Sequence, residues 1–216
     1  ASSHYPQRVR WSQAQGPGIV DGWDDNVAGK GGFVDAPTSD HIISAQFLQD
    51  LIIVYFTDSV WTLRATSDPA LPFRWDKIND TRACDAKMGT ERFDRVVVSA
   101  GTRGISLTDG VENKRFDDRI EDFVSNTVNS EAFNRTFTKR NFTNRRMWML
   151  FARGQNDEAN AALIYDEESK AFSEYAIELN ALGYGSAAKD ARLSDFGNAT
   201  LEDHAEETLD SHFSDD

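Results

Sequence analysis

The chain has 216 residues, enough for one ordinary domain with a substantial core, and its 39% apolar and 11% aromatic content suits a folded protein. Its 23 basic and 36 acidic residues give a net charge of −13, which excludes a general DNA binder, since such affinity comes from clustered Lys and Arg neutralising phosphates. No apolar run approaches the roughly 18 residues of a membrane helix, and a single cysteine, Cys84, excludes an internal disulfide and a Cys-rich zinc site.

From the N-terminus, Ala1 to Pro6 offer neither a basic start nor an apolar stretch. The segment therefore reads as lacking a secretory signal and, without an initiator Met, as a processed or cut end. The first clear strand pattern is His41 to Gln49, followed after Asp50 by Leu51 to Phe56, the most apolar window of the chain. Thr57-Asp58-Ser59 separates this from Val60 to Thr66, and a Ser-Asp-Pro turn leads to Phe73 to Ile78. Four short segments rich in β-branched and aromatic residues, separated by polar turn chemistry, predict an antiparallel meander.

The rhythm then returns. Asp85 to Phe93 reads as a weak edge strand, Arg95 to Ala100 as a strong one, and Gly104 to Thr108 as a third. Asp109-Gly110 predicts a tight hairpin turn, because glycine tolerates positive φ, and Val111 to Phe116 completes the round. Asp117 or Asp118 is placed to cap a short inserted helix carrying Ile120, Phe123 and Val124 on one face. A third round follows in Phe133 to Phe142, Arg146 to Ala152, Ala161 to Tyr165 and Ala171 to Ile177. The strong second strands, Ile52 to Tyr55, Val96 to Val98 and Met147 to Leu150, recur at an interval of roughly 45 to 50 residues, the period of four-stranded propeller blades.

The predicted fold class is therefore all-β: a β-propeller or propeller fragment of about three to four four-stranded blades, with one short inserted helix. The blades occupy residues 1–188. Residues 189–216 form an acidic C-terminal tail, with nine acids against Lys189 and Arg192. This tail carries −7 of the net charge and few large apolar residues, the composition of a solvated segment. Leu201, Ala205 and Leu209 nevertheless recur at helical spacing, which leaves room for a short docking helix.

A resemblance enters at these segments. Arg8 to Ser12, Trp23 and Ala28-Gly29, then Ile42-Ile43, Leu51 to Tyr55, Ser59 to Leu63 and Pro72-Phe73, look like one unit of the propeller-type tail and neck proteins of bacteriophages. Gly101 to Ile105, Thr108 to Gly110 and Arg115 to Ile120 are similar to the end of such a blade. Arg145 to Leu150, Asn160 to Tyr165 and Ala171 to Ser173 resemble its closing hairpin. The match runs over about residues 8–180. The resemblance implies a hub- or nozzle-like, DNA-stabilisation-like structural virion protein, not an enzyme and without a cofactor. Such a protein is made in the bacterial cytoplasm, forms a homo-oligomeric ring with other tail or portal proteins, and touches phage DNA at most transiently. Three and a half rounds are fewer than the usual ring of about six to eight blades. Residues before Ala1 are missing, or the ring is small, or an open arc is completed by neighbours that cover its sheet edges.

Sharper chemistry finds little footing. Trp75-Asp76 lacks the preceding Gly-His of a WD repeat, and Ser194 to Thr200 has the wrong spacing for a sialidase Asp-box. Gly101 to Gly104 is too short for a phosphate loop and lacks the following lysine. His4, His41, His204 and His212 are scattered, and the Asn-x-Thr triplets at Asn79, Asn134, Asn141 and Asn198 are coincidental without a secretory signal. Acidic pairs such as Asp117-Asp118 and Glu167-Glu168 fall at turns, where carboxylates cap backbone groups or face water. A glycosidase would need two of them facing one bond. The expectation is no catalytic, metal or cofactor residue.

One basic cluster is a candidate contact surface: Arg135, Lys139, Arg140, Arg145 and Arg146, interleaved with Phe137 and Phe142. Such a pattern suits a single nucleic-acid strand; the plainer reading is a hairpin face paired with acids, among them the acidic tail of this or the next subunit. Two alternatives to the virion role stay open. One is a carbohydrate-binding or carbohydrate-cleaving propeller stacking sugars on Trp11, Trp23 and Trp75, and the other is a monomeric protein-interaction scaffold.

Overall fold

A computed structural model describes residues 4–13, 18, 21–27, 29–68, 71–79, 83–179 and 181–183. The chain is all-β. After a two-stranded hairpin, β1 (Arg8–Trp11) and β2 (Gly32–Asp35), come three four-stranded antiparallel meanders. The first sheet is β3 (Ile42–Leu48), β4 (Leu51–Phe56), β5 (Val60–Ala65) and β6 (Phe73–Asn79). The second is β7 (Thr90–Arg92), β8 (Val97–Gly101), β9 (Gly104–Thr108) and β10 (Asn113–Arg115). The third is β11 (Phe137–Asn141), β12 (Arg146–Phe151), β13 (Ala161–Asp166) and β14 (Ala171–Ala176). Each sheet keeps its strands in chain order, so every connection is a hairpin.

The period-2 alternation of each strand gives every sheet two apolar faces, and burying those faces stacks the sheets. Ile53, Tyr55 and Val60 of the first sheet meet Val97 of the second. On the opposite face of the first sheet, Val54, Phe56, Trp61 and Leu63 pack against Val9 and Val34 of the hairpin. The second sheet turns Val98, Ala100 and Ile105 toward Met147, Met149, Phe151 and Leu163 of the third. Beyond, Leu150, Ala162 and Ile164 are covered by Ile177 and Leu179. Several of these side chains are wholly buried, Ile53, Phe56, Val97, Met147 and Phe151 among them. Burial contributes about 1.5–3 kcal/mol for each such side chain.

The first strands of the three sheets are joined by polar contacts. Ser44 and Thr90 share a 2.8 Å hydroxyl bond, and Ser44 also donates to the Lys87 carbonyl. The Thr138 N–H donates to the Met88 carbonyl at 2.9 Å, and Met88 bridges Phe137 in parallel. The bridge at Met88 and Phe137 thus places the start of the second sheet beside the first strand of the third. The hairpin is fixed by Arg8, which donates to both Asp35 carboxylate oxygens at 2.7 and 2.8 Å while its guanidinium lies between the Tyr5 and Phe33 rings.

Several local readings are corrected. The first strand of the second round is only Thr90–Arg92, because Asp85 is taken up accepting hydrogen bonds from the N–H and hydroxyl of Thr102. Phe133–Arg135 is a 3-10 turn, so the third round starts at Phe137. The Asp109 turn spans four residues: its carboxylate accepts the Val111 and Glu112 N–H groups, and Gly110 takes φ +91°. The inserted helix, α1, is Glu121–Thr127, preceded by a 3-10 turn over Asp118–Ile120; Ile120 stands at its N-cap without a side-chain cap. Asp117 is instead wholly buried, accepting the Ile105 N–H at 3.1 Å and the Arg115 Nε at 2.7 Å. As expected, Ile120, Phe123 and Val124 turn to the core between the second and third sheets. The acidic segment 189–216, with its expected docking helix, His204 and His212, lies outside the described residues. Among those described, no helix is long and apolar enough to cross a membrane.

Candidate functional site

The basic cluster sits where the second and third sheets meet. In β11, Arg140 stands opposite Met147 and Lys139 opposite Trp148. Alternation therefore sends Arg140 toward the second sheet, on the Met147 and Tyr165 side, and Lys139 to the other face. Arg140 is 6% exposed. Its Nη1 donates to Asp94 at 2.8 Å, its Nη2 lies 2.9 Å from Glu167, and its guanidinium stacks on Phe93 and Phe142. Burial works against the charge of Arg140, but Asp94 and Glu167 outweigh it and hold the guanidinium above its ordinary pKa. The same contact holds the Asp94 carboxyl below the usual range.

The other members are also matched by acids or carbonyls of the second and third sheets. Lys139 reaches Glu91 at 3.5 Å, Arg145 reaches Glu167 at 3.3 Å, Arg146 reaches Asp166 at 2.9 Å, and Arg135 donates to the Asp157 carbonyl at 2.8 Å. Asp166 is held down at about 2 by the Ser169 N–H and then by Arg146. Glu167, read as a turn acid that caps backbone groups or faces water, does lie in the turn after β13, but its side chain is only 9% exposed between two arginines. A surface whose cations are neutralised by nearby acids has little left for phosphates.

Beside Arg140 opens a cavity of about 330 Å³. Phe93, Val96, Leu107, Phe116 and Tyr165 form its apolar wall, and Arg95, Lys170, Asp94 and Glu167 join Arg140 in its polar part. The wall is stiffened by an aromatic triad, with Phe116, Tyr165 and Phe172 centroids 4.7–5.5 Å apart. Burial, reinforced by the Glu167 charge, raises the Tyr165 hydroxyl above its ordinary pKa.

No protein-family model and no curated protein matches this chain.

The remaining candidates are rearranged by the fold. Trp11 stacks on Phe73 at 5.0 Å, and Trp75 packs against Phe56 and Trp61 in the core between hairpin and first sheet. Neither is a free sugar platform; Trp23 is 42% exposed. His4 and His41 come together, their rings 6.5 Å apart, but no group of three metal-ligating side chains occurs among the described residues. Cys84 is wholly buried, and burial pushes its thiol up to about 12, so it is an unreactive core residue. Sequence reading missed Asp94 and Glu167 as partners of Arg140, and Tyr165 as part of the cavity beside it. Arg146 and Asp166 are cross-strand neighbours, legible once the β12–β13 register is known. Asp94 lies 46 residues from Arg140 and leaves no local signal.

Proposed function

We propose that the chain is a structural assembly protein that works in several copies, as a component of a phage tail or neck, without catalytic chemistry of its own. The observation that supports this reading is the face-to-face stack of three four-stranded meanders, joined along their first strands by polar contacts. Successive four-stranded meanders are the repeating unit that the resemblance to propeller-type tail proteins implies, and they support the reading to that extent. The exposed outer face of the N-terminal hairpin is consistent with contact to a further copy: Tyr5 is 48% and Phe33 42% exposed, and both flank the paired Arg8. An acidic chain whose basic cluster is internally neutralised also suits a conduit that lets a polyanion pass without holding it.

Electron micrographs of the purified chain test the reading. Closed, rotationally symmetric particles are expected. Isolated particles of single-chain size, at all concentrations and with tail or portal proteins added, would overturn it.

A further inference from the structure

We propose that the cavity between the second and third sheets binds an anionic amphipathic ligand: a carboxylate carried on an aromatic or branched apolar body. The site goes beyond the assembly role and does not rest on it. Its volume, about 330 Å³, is at the small end of ligand pockets, which span roughly 300–1,000 Å³, and suits one ring-bearing group. Phe93, Leu107 and Phe116 offer that group an apolar wall.

The polar side of the cavity selects the charge. Arg140 lines it, and its buried cluster leaves one donor and one acceptor without hydrogen-bond partners, the Arg140 Nε and the Glu167 Oε1, which offset one another. The two lining acids, Asp94 and Glu167, are already engaged by Arg140, and Glu167 by Arg145 as well. Arg95 and Lys170 line the same cavity, are exposed, and form no ion pair with any described residue. In a chain of net charge −13, these two exposed cations add positive charge beside the ion-paired Arg140, Asp94 and Glu167, which makes this cavity locally attractive to an anion. Charge-assisted hydrogen bonds then fix the carboxylate while its apolar body leaves water.

Two sources share this chemistry, a free small acid and the last residue of a partner peptide. The test titrates the full chain with phenylacetate, with its neutral amide, and with a short peptide ending in Phe with a free carboxylate, by calorimetry and ligand-observed NMR. The acid is expected to bind saturably and the amide at least about tenfold more weakly, the loss of one charge-assisted hydrogen bond. The paired exposed substitutions Arg95→Gln and Lys170→Gln are expected to weaken the acid by about tenfold without moving the melting temperature. Leu107→Trp, which fills the cavity from its apolar wall, is expected to abolish binding. Tighter binding of the peptide assigns a chain end as ligand, and tighter binding of phenylacetate assigns a free acid. The proposal is overturned if neither binds, if acid and amide bind equally, or if binding survives both sets of substitutions.

Discussion

Replacing Arg140 by Met separates the charge of this side chain from its bulk. Methionine keeps an unbranched apolar stem against Phe93 but removes the cation between Asp94 and Glu167. Removing one partner of a buried ion pair costs about 3–5 kcal/mol, because the other charge stays buried and uncompensated. Here the loss is moderated twice. Asp94, 78% exposed, returns to water, and Glu167 keeps Arg145 at 3.3 Å, although that arginine is 67% exposed. Arg140 also lines an open cavity, so water softens the penalty, and a loss of about 2–3 kcal/mol is expected. The double substitution Arg140→Met with Glu167→Leu removes the stranded carboxylate and should recover most of that loss. Urea unfolding of the wild type, both single variants and the double variant gives the four midpoints of the cycle. If Arg140→Met stays within about 0.5 kcal/mol of wild type, or the double variant is no more stable than the single one, Arg140 and Glu167 are not the buried, mutually compensating pair described.

Two further outcomes follow from the geometry. Gly104 sits at φ +115°, and a Cβ there would stand 2.8 Å from Asp117 Oδ2; Gly104→Ala should therefore cost about 2 kcal/mol or more in thermal unfolding, and a neutral result would refute the buried Asp117 turn. Asp166 has its folded pKa depressed to about 2 from 3.8, so its contribution is fully present above the unfolded value and is lost as pH falls from 4 toward 2; Asp166→Asn should flatten the acid limb of stability against pH in that window, and an unchanged limb would refute the Ser169 and Arg146 contacts.

The strands were legible where local chemistry decides them. Leu51–Phe56 and Arg146–Phe151 are apolar runs bounded by polar turns, and their positions follow from strand propensity and burial alone. Thr90–Arg92 and Asn113–Arg115 were blurred, because short strands carry too few residues for alternation to speak. Turn chemistry was only half visible. Asn141 and Asp166 each accept an N–H two or three residues on, and a left-handed residue, Arg145 or Lys170, then closes the loop. Nothing in the residue types of Arg145 or Lys170 announces a positive φ.

The site was less legible than the fold for the same reason at longer range. Arg140 reads as one cation in a basic stretch, and its burial depends on sheet stacking that brings Asp94 and Phe93 to it from 46 and 47 positions away. Asp117 looked like a helix cap because an acid ahead of an amphipathic run has that role by default. The fold spends it on Arg115 and the Ile105 N–H, where a buried donor needs an acceptor more than an exposed helix end does. Trp75 looked like a surface aromatic because no periodicity indicates that a two-stranded hairpin will cover its face.

The most direct test of the central claim is the molar mass of the purified chain in solution, by light scattering behind size exclusion. An assembly protein of stacked blades predicts a discrete species several times the 24.2 kDa of one chain, stable on dilution. A single-chain mass at every concentration, unchanged when tail or portal proteins are added, would contradict the account.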